Sequence, residues 1–297
     1  MMGCMRFVWP SLALCALALF AGCSAEEEVD RARERLTERT ERLRRNVERE
    51  YRQQREKIKG RVQEYLAQLE QAIPSAEGTS PEVQVQGRNE PQEIDEFMEG
   101  VLRNIDAYWT ETLRANDLPP PSVRYEFFPP RAVRVSGCGI AAGGDAAFYC
   151  PTDDTIYVSQ QFAADLYNGV VRGLPGESAG YGRAAGDFAV AYVLAHEYAH
   201  NLQQELGIFN NATGPNARPY ELQADCWAGT WANSVFARGD LEQGDLDEIL
   251  NTALAVGDFD AGNEQHHGTP EERRDAVLTG FRSGDPSVCR RYVPASA

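Results

Sequence analysis

From Ile73 to the C-terminus the chain contains no lysine. That stretch carries 15 Arg against 33 Asp+Glu, a balance of −18, in a 297-residue protein whose overall charge is −16. So acidic a segment repels phosphate backbones, which excludes nucleic acid as its partner. Histidine is scarce too, four residues in all, so a pattern that spends two of them close together is informative. No Cys-x-x-Cys pair occurs, which removes a zinc ribbon from consideration. The longest apolar run, Phe7–Phe20, is too short and too poorly flanked for a membrane span. Internal repeats are absent. What remains is a chain with 42% hydrophobic residues, enough to bury a real core in one or two domains.

Arg6 followed by Phe7–Phe20 reads as the start of an export signal. It runs into Phe20-Ala21-Gly22-Cys23, which resembles the lipobox of bacterial lipoproteins, with Phe20 in place of the usual Leu. The expectation is a lipoprotein signal peptide over residues 1–22 and acylation of Cys23. That would place the protein in the cell envelope, membrane-anchored on the extracytoplasmic side. Cys4 and Cys15 would leave with the signal. Cys138, Cys150, Cys226 and Cys289 would remain, an even number in an oxidising compartment, which suggests two disulfides with three possible pairings. Cys138 and Cys150 flank a Gly-rich segment, so a local bridge would pin that loop, and Cys226 would then pair with Cys289.

Residues 23–73 are rich in Arg, Glu and Gln, with no Pro and one Gly. A thin apolar stripe through Val29, Leu36, Leu43, Val47, Tyr51, Ile58 and Val62 has helical steps but is too narrow for a globular core. One long helix is expected, either a coiled-coil stalk capable of oligomerising or a single solvated helix supported by pairs such as Glu38–Arg42. Residues 74–91 carry Pro, Gly, Ser, Glu and Gln without apolar rhythm and read as a linker. The chemical domain then spans 92–297. It opens with an amphipathic helix through Ile94, Phe97, Met98, Val101, Leu102, Ile105 and Trp109. Val123–Phe128 and Ala132–Val135 are β-rich. Ala147–Cys150, a Pro151-Thr152-Asp153-Asp154 turn and Thr155–Val158 form a predicted hairpin.

His196-Glu197-Tyr198-Ala199-His200 is an HExxH string. Asp187 is suited to cap its helix, apolar residues recur at Phe188, Ala191, Ala195, Ala199, Leu202 and Leu206, and Gly207 ends it. Residues four apart share a helix face, so both imidazoles converge on one metal. Glu197 sits about 100° around the helix, where it reaches a metal-bound water without being a ligand. A catalytic zinc site needs a third protein ligand and an open position. Glu221-Leu222-Gln223-Ala224-Asp225 follows on a second predicted helix begun by Pro219. Glu221 and Asp225 share a face there. Glu221 is the candidate third ligand, and Asp225 the candidate acceptor for the far nitrogen of a ligand histidine. Ala224, Ala228 and Gly229 would let helices approach closely.

The longer string resembles the bacterial neutral zinc metallopeptidase family and, in its two His and one Glu, the gluzincin arrangement. The matching pieces are Cys138-Gly139, Tyr149-Cys150-Pro151-Thr152-Asp153 and Gly186-Asp187-Phe188-Ala189 leading into HExxH. They continue through Gln203, Leu206-Gly207-Ile208, Glu221-Leu222-Gln223-Ala224-Asp225-Cys226-Trp227-Ala228-Gly229, His267-Gly268-Thr269-Pro270-Glu271-Glu272-Arg273 and Gly280-Phe281. Ala199 stands where relatives usually have Gly. The resemblance covers roughly Gln92 to the C-terminus and not the charged helix. It implies an α+β, zincin-like domain, mainly helical with a small antiparallel sheet. In zincins generally an edge strand above the metal pairs with an extended substrate, and Tyr149–Cys150 or Ile156–Val158 could supply it.

The expected activity is hydrolysis of envelope or extracellular polypeptides with one Zn2+ per chain. Water activated by the zinc attacks the scissile carbonyl, and Glu197 is the general base. A second donor to the developing oxyanion is needed besides the metal. His267 is the favoured candidate, ahead of His266, Tyr198 and Tyr220. The alternative function is a zinc-stabilised envelope binding or assembly factor with weak or no hydrolysis. The intact Glu197 favours the enzyme, since a purely structural site has no use for that base.

Overall fold

A computed structural model describes residues 91–211, 216–242 and 244–293. The chain divides into two units, residues 1–60 and 61–297, and the described residues all belong to the second. The expected signal peptide, the Cys23 anchor, the long charged helix and the linker lie outside the described residues.

Helix α1 (Pro91–Arg114) buries Ile94, Met98, Leu102, Ile105, Trp109 and Leu113. These residues recur every three to four positions and so form one stripe on the domain. The next five elements are strands β1 (Arg124–Phe128), β2 (Arg134–Val135), β3 (Ala141–Ala142), β4 (Ala147–Cys150) and β5 (Thr155–Ser159). Helices α2 (Gln160–Tyr167), α3 (Pro175–Ser178), α4 (Asp187–Glu205), α5 (Arg218–Arg238), α6 (Asp245–Val256) and α7 (Pro270–Ser283) follow, with a 3-10 turn over Pro286–Arg291. No described helix is long and apolar enough to cross a membrane.

The sheet corrects one expectation: it is mixed rather than antiparallel. β4 and β5 form the predicted antiparallel hairpin, but β1 pairs with β5 in parallel, giving the order β1-β5-β4. After β1 the chain spends residues 134–150 on the β2–β3 ribbon and on β4. It returns through β5 beside β1, in the same direction. Among the described residues β2 and β3 pair only with each other, so Ala132–Val135 supplies two strand residues outside the main sheet. β5 is central and wholly buried, while β4 is an edge.

Two disulfides close the expected pairs, Cys138–Cys150 and Cys226–Cys289. The first ties the β2–β3 ribbon to the end of β4. The second ties the C-terminal turn to α5.

Helix α4 starts at Asp187, but its cap differs from expectation. Gly186 occupies the cap position at φ 109°, and the Phe188 N–H is met by Glu248 from α6 at 2.9 Å as well as by Asp187 at 2.9 Å. A Cβ on Gly186 would fall 2.0 Å from the Glu248 carboxyl carbon, so only glycine admits that approach. Gly229 admits the close helix approach expected of it, and its neighbour is α7. A Cβ there would lie 2.1 Å from the Val277 carbonyl oxygen, and one on Gly280 1.8 Å from that of Cys226. The small residues therefore bring α5 and α7 into backbone contact, which sets Arg273 of α7 beneath Asp225 of α5.

Candidate active site

α4 is buried nearly all round, from Ala189 to Gln203. Only a helix at the centre of a domain is covered this way, and the cover excludes water from most of the side chains it carries. His196 and His200, one turn apart, place their Nε2 atoms 3.1 Å from each other. Glu221, in the first turn of α5, completes the group. Its Oε2 is 3.1 Å from His196 Nε2 and its Oε1 3.3 Å from His200 Nε2.

Both histidines are held from behind. His196 Nδ1 lies 2.8 Å from Asp225 Oδ1, and His200 Nδ1 lies 2.8 Å from Gln203 Oε1. An imidazole that donates from Nδ1 presents a lone pair at Nε2. Two such lone pairs and a carboxylate therefore point at one place, and three acceptors so close are stable only around a cation. Ligands about 2.0–2.1 Å from a tetrahedral zinc stand roughly 3.3 Å apart, close to the separations here. The residues fit the metal. Without a cation, protons meet the need. Burial lowers the His196 imidazole, but Asp225 and Glu221 more than reverse it and raise it to about 10. His200 is raised against its burial by Glu221. Burial raises Glu221, and the two histidines outweigh it and drive the carboxyl well below its ordinary range. A metal binding here must displace protons.

Asp225 is fully buried and saturated. Arg273 donates from Nε to Oδ2 at 2.8 Å and from Nη2 to Oδ1 at 2.9 Å, and Tyr192 donates its hydroxyl to Oδ1 at 2.6 Å. Burial works against the Asp225 charge, but Arg273 and His196 prevail and lower its pKa to about 2.

Glu197 faces the same space without joining the three ligand atoms. The Tyr149 main-chain N–H of β4 donates to its Oε2 at 2.8 Å. Burial pushes the Glu197 carboxyl up, partly offset by the two histidines. The contact also identifies the strand beside the site: it is β4, while Ile156–Val158 lie on the central strand β5. A cleft of about 740 Å³ opens over these groups, lined by Phe148, Val193, Phe209 and Tyr220 among others.

The remaining candidates separate. His267 lines the cleft and is 48% exposed at its side chain, with its main-chain N–H on Asp258 at 2.9 Å. His266 is buried, its Nδ1 2.5 Å from Asp258 Oδ1, and it serves the loop. Tyr198 is buried away from the cleft and donates to Asp106 at 2.7 Å, whereas Tyr220 is in the cleft wall. Gln203, Arg273 and Tyr192 had no role assigned from sequence. Gln203 lies three residues after His200 on the same helix, and that spacing was the available signal.

Among curated proteins, the chain is 36% identical over 182 residues to "Uncharacterized protein YpfJ" of Escherichia coli K12. It is 33% identical over 187 residues to "Uncharacterized protein Rv2575" of Mycobacterium tuberculosis. Each alignment covers 54% of this chain and 59% of the relative. No solved structure matches significantly. The family described as "Putative neutral zinc metallopeptidase" matches residues 58–292, beginning earlier than Gln92 and taking in the end of the charged stretch and the linker. The chain belongs to this neutral zinc metallopeptidase family.

Proposed function

We propose that the protein is a zinc peptidase with a zincin-like site, held by His196, His200 and Glu221, that cleaves polypeptides of the envelope or extracellular space. The observation that carries the reading is the position of Glu197 between the His196–His200–Glu221 group and the outer edge of β4, an edge no other described strand covers. A zinc bound there supplies Lewis acidity for a carbonyl and lowers the pKa of a coordinated water toward about 7.

The chain's own residues do the rest. Tyr149 N–H points away from β5, and Ala147, two residues earlier on the strand, shares that outward orientation. An extended substrate pairs with this edge, which lays its backbone across the cleft. Glu197, held by Tyr149 N–H in a water-poor wall, takes the proton of the attacking water and delivers it to the departing amine. His267 stands exposed in the cleft wall as a donor to the carbonyl oxygen as charge develops. The lipid anchor at Cys23 would deliver this site to envelope substrates.

The test is Glu197→Gln. The variant keeps its zinc, loses turnover of an unstructured peptide substrate, and changes the pattern of envelope peptides in cells. A Glu197→Gln protein that cleaves as fast as the wild type refutes the peptidase mechanism. Zinc-loaded wild type that cleaves no peptide favours a zinc-stabilised binding factor instead.

A further inference from the structure

The two histidine ligands are supported by groups of different kind. His196 leans on a carboxylate, Asp225, neutralised by Arg273. His200 leans on an uncharged amide, Gln203, whose Oε1 is 2.8 Å from its Nδ1. The two ends of an amide have nearly the same shape, so only its neighbours decide which end faces the imidazole.

Those neighbours leave one answer. Gln203 Nε2 donates to the Tyr220 carbonyl at 2.8 Å and to Gln223 Oε1 at 3.1 Å. The Tyr220 carbonyl is an acceptor with no donor to offer. Gln223 in turn directs its Nε2 at the Cys289 carbonyl, 3.5 Å away. Cys289 is bonded to Cys226, so this acceptor is tied to α5. The amides therefore run in one direction, from His200 through Gln203 and Gln223 to the C-terminal turn. Gln203 is fully buried and Gln223 nearly so, and a reversed amide would leave two acceptors facing each other out of reach of water.

We propose that Gln203 is a positioning residue. It accepts the Nδ1 proton of His200 and so holds the ring in the one tautomer and rotation that aims the Nε2 lone pair at the metal. The inference rests on the zinc reading above. It adds to that reading an uncharged support for the second histidine, in contrast to the charged Asp225–Arg273 pair behind the first. Zinc paired with Glu221 keeps one positive charge, and an amide behind His200 leaves it there where a further carboxylate would offset it.

The experiment reads the rings directly. The chain is labelled with 15N-histidine and loaded with zinc, and long-range 1H–15N correlation spectra report the tautomer of each imidazole. In the wild type, both His196 and His200 are expected to bind through Nε2 and to keep slowly exchanging Nδ1 protons. In Gln203→Leu the His200 Nδ1 proton exchanges rapidly while that of His196 persists. Zinc affinity, measured by chelator competition, falls roughly 10- to 100-fold, the usual effect of losing a ligand's outer partner. Gln223→Leu removes one of the two acceptors that orient the Gln203 amide and leaves the Tyr220 carbonyl, so it gives the same His200-selective change in weaker form, a second arm should Gln203→Leu fail to fold. A wild-type His200 with no protected Nδ1 proton overturns the proposal, as does a folded Gln203→Leu with unchanged rings and zinc affinity. Wild-type protein that binds no zinc overturns the metal reading and this inference together.

Discussion

Replacing Arg273 with methionine should be among the most destabilising single changes in the domain. Arg273 is 5% exposed and Asp225 0% exposed, and two hydrogen bonds of 2.8 and 2.9 Å join them. Methionine fills much of the volume but leaves the Asp225 carboxylate buried with only Tyr192 and His196 as partners. Removing one member of a buried, hydrogen-bonded ion pair costs about 3–5 kcal/mol, since the surviving carboxylate then has the His196 imidazolium alone to oppose its charge. With a urea dependence of about 2 kcal/mol per molar, the midpoint of unfolding should fall by roughly 1.5–2.5 M. The assay is urea denaturation at pH 7 of metal-free protein with both disulfides intact. Asp225→Asn removes the orphaned charge, so Asp225→Asn/Arg273→Met should cost less than the sum of the single changes. A folded Arg273→Met protein within about 0.5 kcal/mol of the wild type would refute the reasoning, as would strict additivity in the double variant.

Glu248→Gln probes the cap of α4. Burial and the neighbouring Asp187 charge raise the Glu248 carboxyl from 4.5 to about 8, so its contribution is full below about pH 4.5 and is lost as pH rises through 8. The amide still accepts from Phe188 and removes that loss, so thermal scans should show the variant gaining on the wild type between pH 5 and 9, and an unchanged difference would refute this. The bridges should differ by loop length. Closing the 63-residue separation of Cys226–Cys289 is worth about 4 kcal/mol in the chain-entropy model, and the 12-residue separation of Cys138–Cys150 about 3 kcal/mol. Paired Cys→Ala variants compared by denaturation would test that order. Gly280→Ala should destabilise by about 1–3 kcal/mol, since its Cβ meets the Cys226 carbonyl oxygen with no room to yield; a neutral result would place α5 and α7 farther apart.

How much of this was legible in the sequence varied with distance along the chain. The helix carrying His196 and His200 had local marks, an apolar rhythm from Phe188 to Leu206 and a glycine at 207, and the observed span Asp187–Glu205 follows them. Glu221 and Asp225 were visible as acids one turn apart behind Pro219. Both disulfides could be read from cysteine placement. The parallel pairing of β1 with β5 could not, because alternation along a strand marks its faces and carries nothing about the direction of its neighbour. The Glu248 cap comes from 60 residues away and leaves no local trace, so Asp187 looked sufficient. Arg273 stood in a matching string with no role attached; the close approach of α5 and α7 at Gly229 and Gly280 shows how it comes to lie under Asp225. Gln203 is polar and near the end of its helix, where exposure is the ordinary expectation. The structure instead spends both ends of its amide in the interior.

The account stands most directly on the metal and its three ligands. The measurement is zinc content per chain after dialysis against a weak chelator, for the wild type and for Glu221→Ala. Wild-type protein should retain one zinc, and Glu221→Ala, with the carboxylate 3.1 Å from His196 Nε2 and 3.3 Å from His200 Nε2 removed, should retain almost none. A folded Glu221→Ala protein that still holds one zinc per chain would contradict the site described here.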